Sequence, residues 1–234
     1  MSSAGVRELE AMALAVNYHR WTATVAQPFL GRRVLEVGGG LGSFTQLLAA
    51  RNWVVTIDND PDCTAALRRR FQAHEQIRVL DADILDDTLP IALQAEQLDS
   101  AVCINVLEHI EDDRAALRNI YGALQPGGHF FLLVPAHPQL YGTLDEVVGH
   151  CRRYTRAEGV EKLQGAGFTV LRSHYFNSVG AVGRYVIGKV RRQQETGHEQ
   201  VRFYDQCVVP VLSRMERLVD PPFGQSLVVV GRKD

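Results

Sequence analysis

Apolar residues in this chain come in short continuous runs, and between the runs they recur at helical spacing. Runs at 33–37, 53–57, 77–80, 100–104, 129–134 and 168–175 predict six strands. The intervening stretches predict helices over 43–50, 62–73, 112–124 and 156–166. Gln125-Pro126-Gly127-Gly128 stops the third of these, and 136–154 reads as a long loop. A helix over 5–27, ended by Pro28, precedes the first strand. The stretches 178–192 and 200–219 read as helical, and 227–230 as a last strand, expected to pair antiparallel with strand six. Strands that are apolar throughout and alternate with amphipathic helices imply a doubly wound α/β fold with helices on both faces of a mostly parallel, seven-stranded sheet. No linker interrupts the pattern. Residues 1–234 are therefore read as one domain: a lid helix at 5–27, a core at 30–175, a helical insertion at 178–219 forming a cap, and a terminal strand segment at 224–231.

Composition narrows the function. The chain has 234 residues, enough for one large core, and a formal net charge of -2, which argues against a nucleic-acid surface. The basic runs Arg68-Arg69-Arg70 and 189–192 read as solvated helix faces. Four scattered cysteines, with no C-x-x-C, form neither a disulfide framework nor a zinc site and suit a reducing cytoplasm. Met1-Ser2-Ser3-Ala4-Gly5 does not begin a signal peptide, and no apolar run is long enough to span a bilayer.

The first strand runs into Glu36-Val37-Gly38-Gly39-Gly40-Leu41-Gly42-Ser43. A glycine turn between strand and helix lets a ligand approach the backbone closely. The dinucleotide pattern G-x-G-x-x-G needs its third glycine at position 43, which is Ser43. Glu36 at the strand end would oppose a diphosphate and welcome an ammonium or sulfonium group. A cationic nucleoside cofactor is therefore favoured over NAD.

Acids recur at later strand ends. Asp58 lies 20 positions after Gly38, the spacing at which an acid takes a ribose hydroxyl. Its other reading is a helix cap, for which Asp60 in Asp58-Asn59-Asp60-Pro61 is better placed. Asn59 is grouped with Asp58. Asp83 could take an adenine amino group with Ile84 packed on the ring, or be a plain turn acid.

These features, with Asn105-Val106-Leu107-Glu108-His109-Ile110 and Leu124-Gln125-Pro126-Gly127-Gly128, resemble class I S-adenosylmethionine-dependent methyltransferases, which are Rossmann-like, over about residues 30–175. The resemblance implies S-adenosylmethionine as cofactor. Gly38, Gly40 and Gly42 would line its methionine part with Glu36 close by. Asp58 would take the ribose and Asp83 the adenine, and Asn105 would sit beside the cofactor. Leu107-Glu108-His109 also resembles ubiquinone-type O-methyltransferases, some of which use nearby acids and a histidine for a metal. Asn105 stands where an acid is common there, so no metal is expected.

The 136–154 stretch concentrates titratable and aromatic groups where an acceptor should lie. His150 and His137 are candidate general bases. Asp145 could orient a histidine, and Tyr141 completes the candidate catalytic set. Arg153, Tyr154 and His109 are placed on the substrate side. The bland reading is a lid in which Asp145 pairs with Arg152 or Arg153. With Gly180 to Arg184 and Pro222 to Leu227, this loop resembles bacterial type 11/12 methyltransferases, many of which act on small metabolites or accompany glycan and lipid assembly. Tyr18 and Trp21 form either a lid over the cofactor or a core stripe. The tail helices are read as a cap on the acceptor cleft, ahead of a dimer surface or a membrane contact.

The expectation is methyl transfer to an O, N or C nucleophile of a small-molecule acceptor, by a monomer or homodimer without a nucleic-acid partner. An NAD-dependent oxidoreductase, a non-catalytic cofactor-binding accessory protein and a cofactor-bound cyclase are the rival readings.

Overall fold

The computed structural model describes residues 10–185 and 198–234. Its strands are β1 (Arg33–Val37), β2 (Trp53–Asp58), β3 (Ile77–Asp81), β4 (Leu98–Ile104), β5 (Leu124–Pro135), β6 (Thr169–Phe176) and β7 (Ser226–Arg232). They form one sheet in the order β3-β2-β1-β4-β5-β7-β6. The pairs β1–β2, β1–β4, β2–β3 and β4–β5 are parallel. Strand β7 is antiparallel to both β5 and β6. The expected fold class is therefore observed. The last strand pairs with strand six as anticipated and also separates it from strand five.

Alternate residues of each strand enter two apolar layers, which is why the strands read as continuous apolar runs. Leu35, Val37, Ala101, Phe130 and Leu132 pack on one face with Leu117, Ile120 and Leu163. Those helical residues come from α5 (Asp113–Ala123) and α7 (Arg156–Gly165). Val34, Val102, Phe131 and Val228 pack on the other face with Tyr18, Trp21, Leu48 and Leu212. These lie on α1 (Val16–Ala26), α2 (Thr45–Ala49) and α10 (Val209–Met215). The remaining helices are α3 (Pro61–Phe71), α4 (Leu89–Ala92), α6 (Thr143–Val148), α8 (Ser178–Arg184) and α9 (His198–Phe203).

Several local expectations are corrected. The predicted 5–27 helix is broken at Leu14 and Ala15 before α1, and its first residues lie outside the described ones. Ala15 has no side-chain oxygen to cap α1; the Asp205 carboxylate takes the Asn17 and Tyr18 N–H groups instead, at 3.0 and 2.8 Å. Leu124 to Gly128 ends the helix but already belongs to β5, with Leu124 opposite Leu98. The 136–154 stretch holds a 3-10 turn, Pro138–Leu140, and α6. A π-helical turn, Tyr204–Val208, interrupts the tail helix. The 178–192 prediction covers α8, and its end lies outside the described residues. Among the described residues no helix is long and apolar enough to cross a membrane.

Candidate active site

A cavity of about 1890 Å³ opens beyond the carboxyl ends of β1, β2, β4 and β5. Its floor lies at the β1/β4 junction, where the strand order reverses and ligands bind in such sheets. Its volume exceeds that of a pocket for one drug-sized ligand, so a cofactor and an acceptor can occupy it together.

The glycine turn forms one wall. Gly38, Gly40 and Gly42 all have positive φ, at +78°, +53° and +81°. A Cβ on Gly38 would stand 2.3 Å from Val106 Cγ2, so this position needs glycine for conformation and for space. The turn's amides are already engaged. Gly38 and Gly39 donate to the Ile57 carbonyl, Gly40 to Asp58 Oδ2 at 2.8 Å, and Gly42 to the Gly39 carbonyl. Few donors are left to cradle a diphosphate.

The charges at this wall are negative. Glu36, 3% exposed, lines the cavity and accepts the Thr45 hydroxyl at 2.6 Å. Burial lifts its carboxyl to about 7, against smaller lowering contributions from the Thr45 and Thr56 hydroxyls. Asp58 also takes the Asp60 N–H at 3.0 Å; burial raises its pKa while these backbone bonds oppose the rise. The helix-cap reading of Asp58 fails, because Asp60 Oδ1 caps α3 through the Asp62 and Cys63 amides. Asn59, Asp83 and Ile84 line the cavity beside Asp58. Asn105, at φ +52°, also reaches it.

Elsewhere on the lining, the turn Leu107–His109 after β4 meets the loop carrying α6. Glu108, His109 and His150 line this wall. His150 Nδ1 lies 2.8 Å from Asp145 Oδ1, and its Nε2 lies 3.9 Å from Glu108 Oε1. The His109 and His150 rings meet edge to face at 4.7 Å. Desolvation in the wall, then the neighbouring His150, lower His109 to about 4.

Of the remaining loop residues, Arg153 also lines the cavity, and the others take different positions. Asp145 is fully buried behind His150 and accepts Arg153 Nε at 2.9 Å, so the bland pairing expected for Arg153 is the observed one. Arg152 pairs instead with Asp113. Tyr154, read as a pocket wall, is a core residue: its hydroxyl donates to Asp113 Oδ2 at 2.9 Å, and burial raises its pKa above the usual phenol value. The apolar layer under α5 and α7 claims its ring. His137, read as a candidate base, stacks on Tyr175 at 4.6 Å and is not among the described residues lining the cavity. Its backbone N–H donates to the Tyr154 carbonyl. Tyr141 donates its hydroxyl to the His150 carbonyl and braces the loop.

The roof comes from both chain ends. Tyr18 packs in the core against Trp21 and Phe176, as the core-stripe reading expects, and also lines the cavity. Burial lifts its hydroxyl to about 12. Tyr204, Asp205, Asn177 and Ser226 complete the roof. Asn177 carries no local motif and was not expected here, whereas Tyr204 and Asp205 lie in the tail helices expected to cap the acceptor cleft and Ser226 in the 222–227 segment.

A family model described as "Methyltransferase domain" matches residues 11–173. A ubiquinone biosynthesis O-methyltransferase of Pseudomonas putida (strain GB-1) is 29% identical over 133 residues, covering 55% of this chain and 53% of that one. The chain thus spans about half the length of the curated relatives it matches. Two solved structures share the fold. A Haloferax volcanii chain, from a complex with the Trm112 methyltransferase activator, superposes with a TM-score of 0.66 at 17% identity, covering 99% of this chain and 98% of that one. The N-methyltransferase NodS of Bradyrhizobium japonicum WM9, solved with S-adenosyl-L-homocysteine, gives 0.59 at 18% identity, covering 92% and 85%.

Proposed function

The chain belongs to the methyltransferase-domain family, with the class I fold of the S-adenosylmethionine-dependent enzymes, and on that premise we propose that it transfers a methyl group to a nucleophile of a small-molecule acceptor. The observation that carries the reading is a buried carboxylate, Glu36, beside a glycine turn whose amides are already engaged. That wall suits a cation and discourages a diphosphate, which counts against the NAD-dependent reading.

S-adenosylmethionine would supply a methyl group already activated by a sulfonium. The residues present fit it. Glu36 would face its charged part, Gly38, Gly40 and Gly42 would allow close approach, and Asp58, Asn59, Asp83, Ile84, Asn105 and Tyr18 would hold the rest. Orientation of the two reactants can then supply much of the rate.

The acceptor side favours a hydroxyl. With Nδ1 donating to Asp145, Nε2 would carry the lone pair at the cavity wall, where a general base is needed. A hydroxyl-bearing metabolite, or a glycan or lipid precursor, fits this wall. The free thiols of Cys63, Cys103, Cys151 and Cys207 support a reducing, cytoplasmic setting. Calorimetry tests the cofactor. Saturable binding of S-adenosylmethionine and S-adenosylhomocysteine is expected. Silence with both, together with saturation by NAD, would overturn the reading.

A further inference from the structure

The helices that roof the cavity carry an apolar outer side. Nine of the thirteen large apolar residues exposed among the described ones fall between 178 and 223. Single exposed apolar residues are ordinary, whereas such a concentration marks an interaction face. Val211, Met215 and Leu218 are 56%, 62% and 85% exposed, and their spacing puts them on one stripe of α10 and the turn that continues it. Hydrogen bonds at Asn177 draw neighbouring segments to the end of this stripe. Glu216 takes the Asn177 and Ser178 N–H groups at 2.9 and 2.8 Å, where α8 starts, and the Gln225 N–H donates to the Asn177 carbonyl at 2.9 Å. Val179 follows Ser178 and Phe223 shortly precedes Gln225, and both are exposed.

The charges around the stripe are sorted by sign. Arg214 and Arg217 flank it, exposed and without an ion pair among the described residues. Three acids of the same stretch are taken elsewhere. Asp205 caps α1, Glu216 caps α8, and Asp220 pairs with Arg172 at 2.7 Å. Around the stripe, what faces outward is therefore apolar and basic, in a chain whose net charge is -2.

We propose that this face rests on a bilayer surface containing anionic lipid, its apolar residues at the headgroup–acyl boundary and its arginines among the lipid phosphates. A second copy of the chain is the poorer occupant, because a two-fold contact would set the same arginines against each other. Phe203, 66% exposed, also lines the cavity, as do Gly180 and Gly183 of α8, so the face borders the cavity. An acceptor carried in the bilayer would then enter without crossing water. That consequence rests on the methyl-transfer reading, whereas docking does not.

The test is flotation of the full-length protein with vesicles of equal parts phosphatidylcholine and phosphatidylglycerol, and with vesicles of phosphatidylcholine alone. Calorimetry measures S-adenosylhomocysteine binding in parallel. Binding to the mixed vesicles is expected, at least about 10-fold tighter than to phosphatidylcholine and weakened by about 0.5 M salt. Arg214→Gln/Arg217→Gln and Met215→Gln/Leu218→Gln should each weaken it at least about 10-fold, with circular dichroism and S-adenosylhomocysteine affinity unchanged. Ile91→Gln, at an exposed apolar position on α4, should leave it unchanged. No flotation with the mixed vesicles, or wild-type binding by either double variant, would overturn the proposal. So would a dimer in sedimentation that Met215→Gln/Leu218→Gln dissolves without any vesicle binding, which would assign the face to a second copy. S-adenosylhomocysteine binding without flotation would refute docking alone. Flotation without that binding would support docking and refute the cofactor reading.

Discussion

The Nδ1 atom of His150 shares one oxygen of Asp145 with the Arg153 guanidinium, at 2.8 and 2.9 Å. A single buried carboxylate thus aims an active-site ring and neutralises a charge that has almost no contact with solvent. Asp145→Ala is expected to destabilise the fold by about 3–5 kcal/mol, because it leaves the Arg153 guanidinium buried without this carboxylate. The Asp145→Leu/Arg153→Met double variant should lose less than the single one. Urea denaturation measures both, and a loss under about 1 kcal/mol for Asp145→Ala would contradict the assignment.

His150→Gln removes the nitrogen that faces Glu108 without cutting the loop. Turnover should fall about 10²- to 10⁴-fold, while the affinity for S-adenosylhomocysteine stays within about 2-fold. Unchanged turnover would free His150 of any part in the chemistry.

Glu36 makes stability and cofactor affinity depend on pH in opposite directions. Its carboxyl is held at about 7 in the fold against an ordinary 4.5. A raised folded-state value stabilises fully below about pH 4.5, and that contribution is lost as pH rises through about 7. The ligand-free protein should therefore lose about 3 kcal/mol relative to Glu36→Gln between these limits. Cofactor affinity should rise over the same range as the carboxylate forms. Binding below pH 7 should release a proton, which calorimetry in buffers of different ionisation enthalpy detects. Parallel stability curves for the two proteins would rule this out.

Gly38→Ala meets two separate obstacles, a positive φ and the Val106 side chain. The left-handed conformation costs about 1–2 kcal/mol and the clash about 1–3 kcal/mol more. Adding Val106→Ala should recover the second part only. Thermal melts and cofactor titration of the single and double variants check this. Full recovery would mean that φ imposes no demand.

Asp205 caps α1 from the far end of the chain, taking the Asn17 and Tyr18 N–H groups. Asp205→Ala should cost about 1–2 kcal/mol and speed hydrogen exchange at those two amides before the rest of α1. Uniform protection in the variant would show that the roof holds without this contact.

The alternation of apolar strands and amphipathic helices was enough to read the sheet, because both of its faces are covered. The three glycines with positive φ were legible for the same kind of reason, since a strand-to-helix turn demands them locally. What escaped depends on distant partners. Nothing near Ala15 announces Asp205, and nothing around Tyr154 announces that Asp113 receives its hydroxyl. His137 and His150 look alike in the sequence, yet Tyr175 draws one away and Asp145 aims the other. Helix α6 was taken for loop because its apolar stripe is short and Gly142 at its start has no side chain to signal a cap.

Strand β7 lies between β5 and β6, although it follows both of them in the chain. On the ribosome, β5 and β6 must therefore wait with bare pairing edges until residues 226–232 leave the exit tunnel. A nascent chain stalled before that point would expose two aggregation-prone borders, so the interval between the emergence of β6 and that of β7 is when this sheet most needs a chaperone.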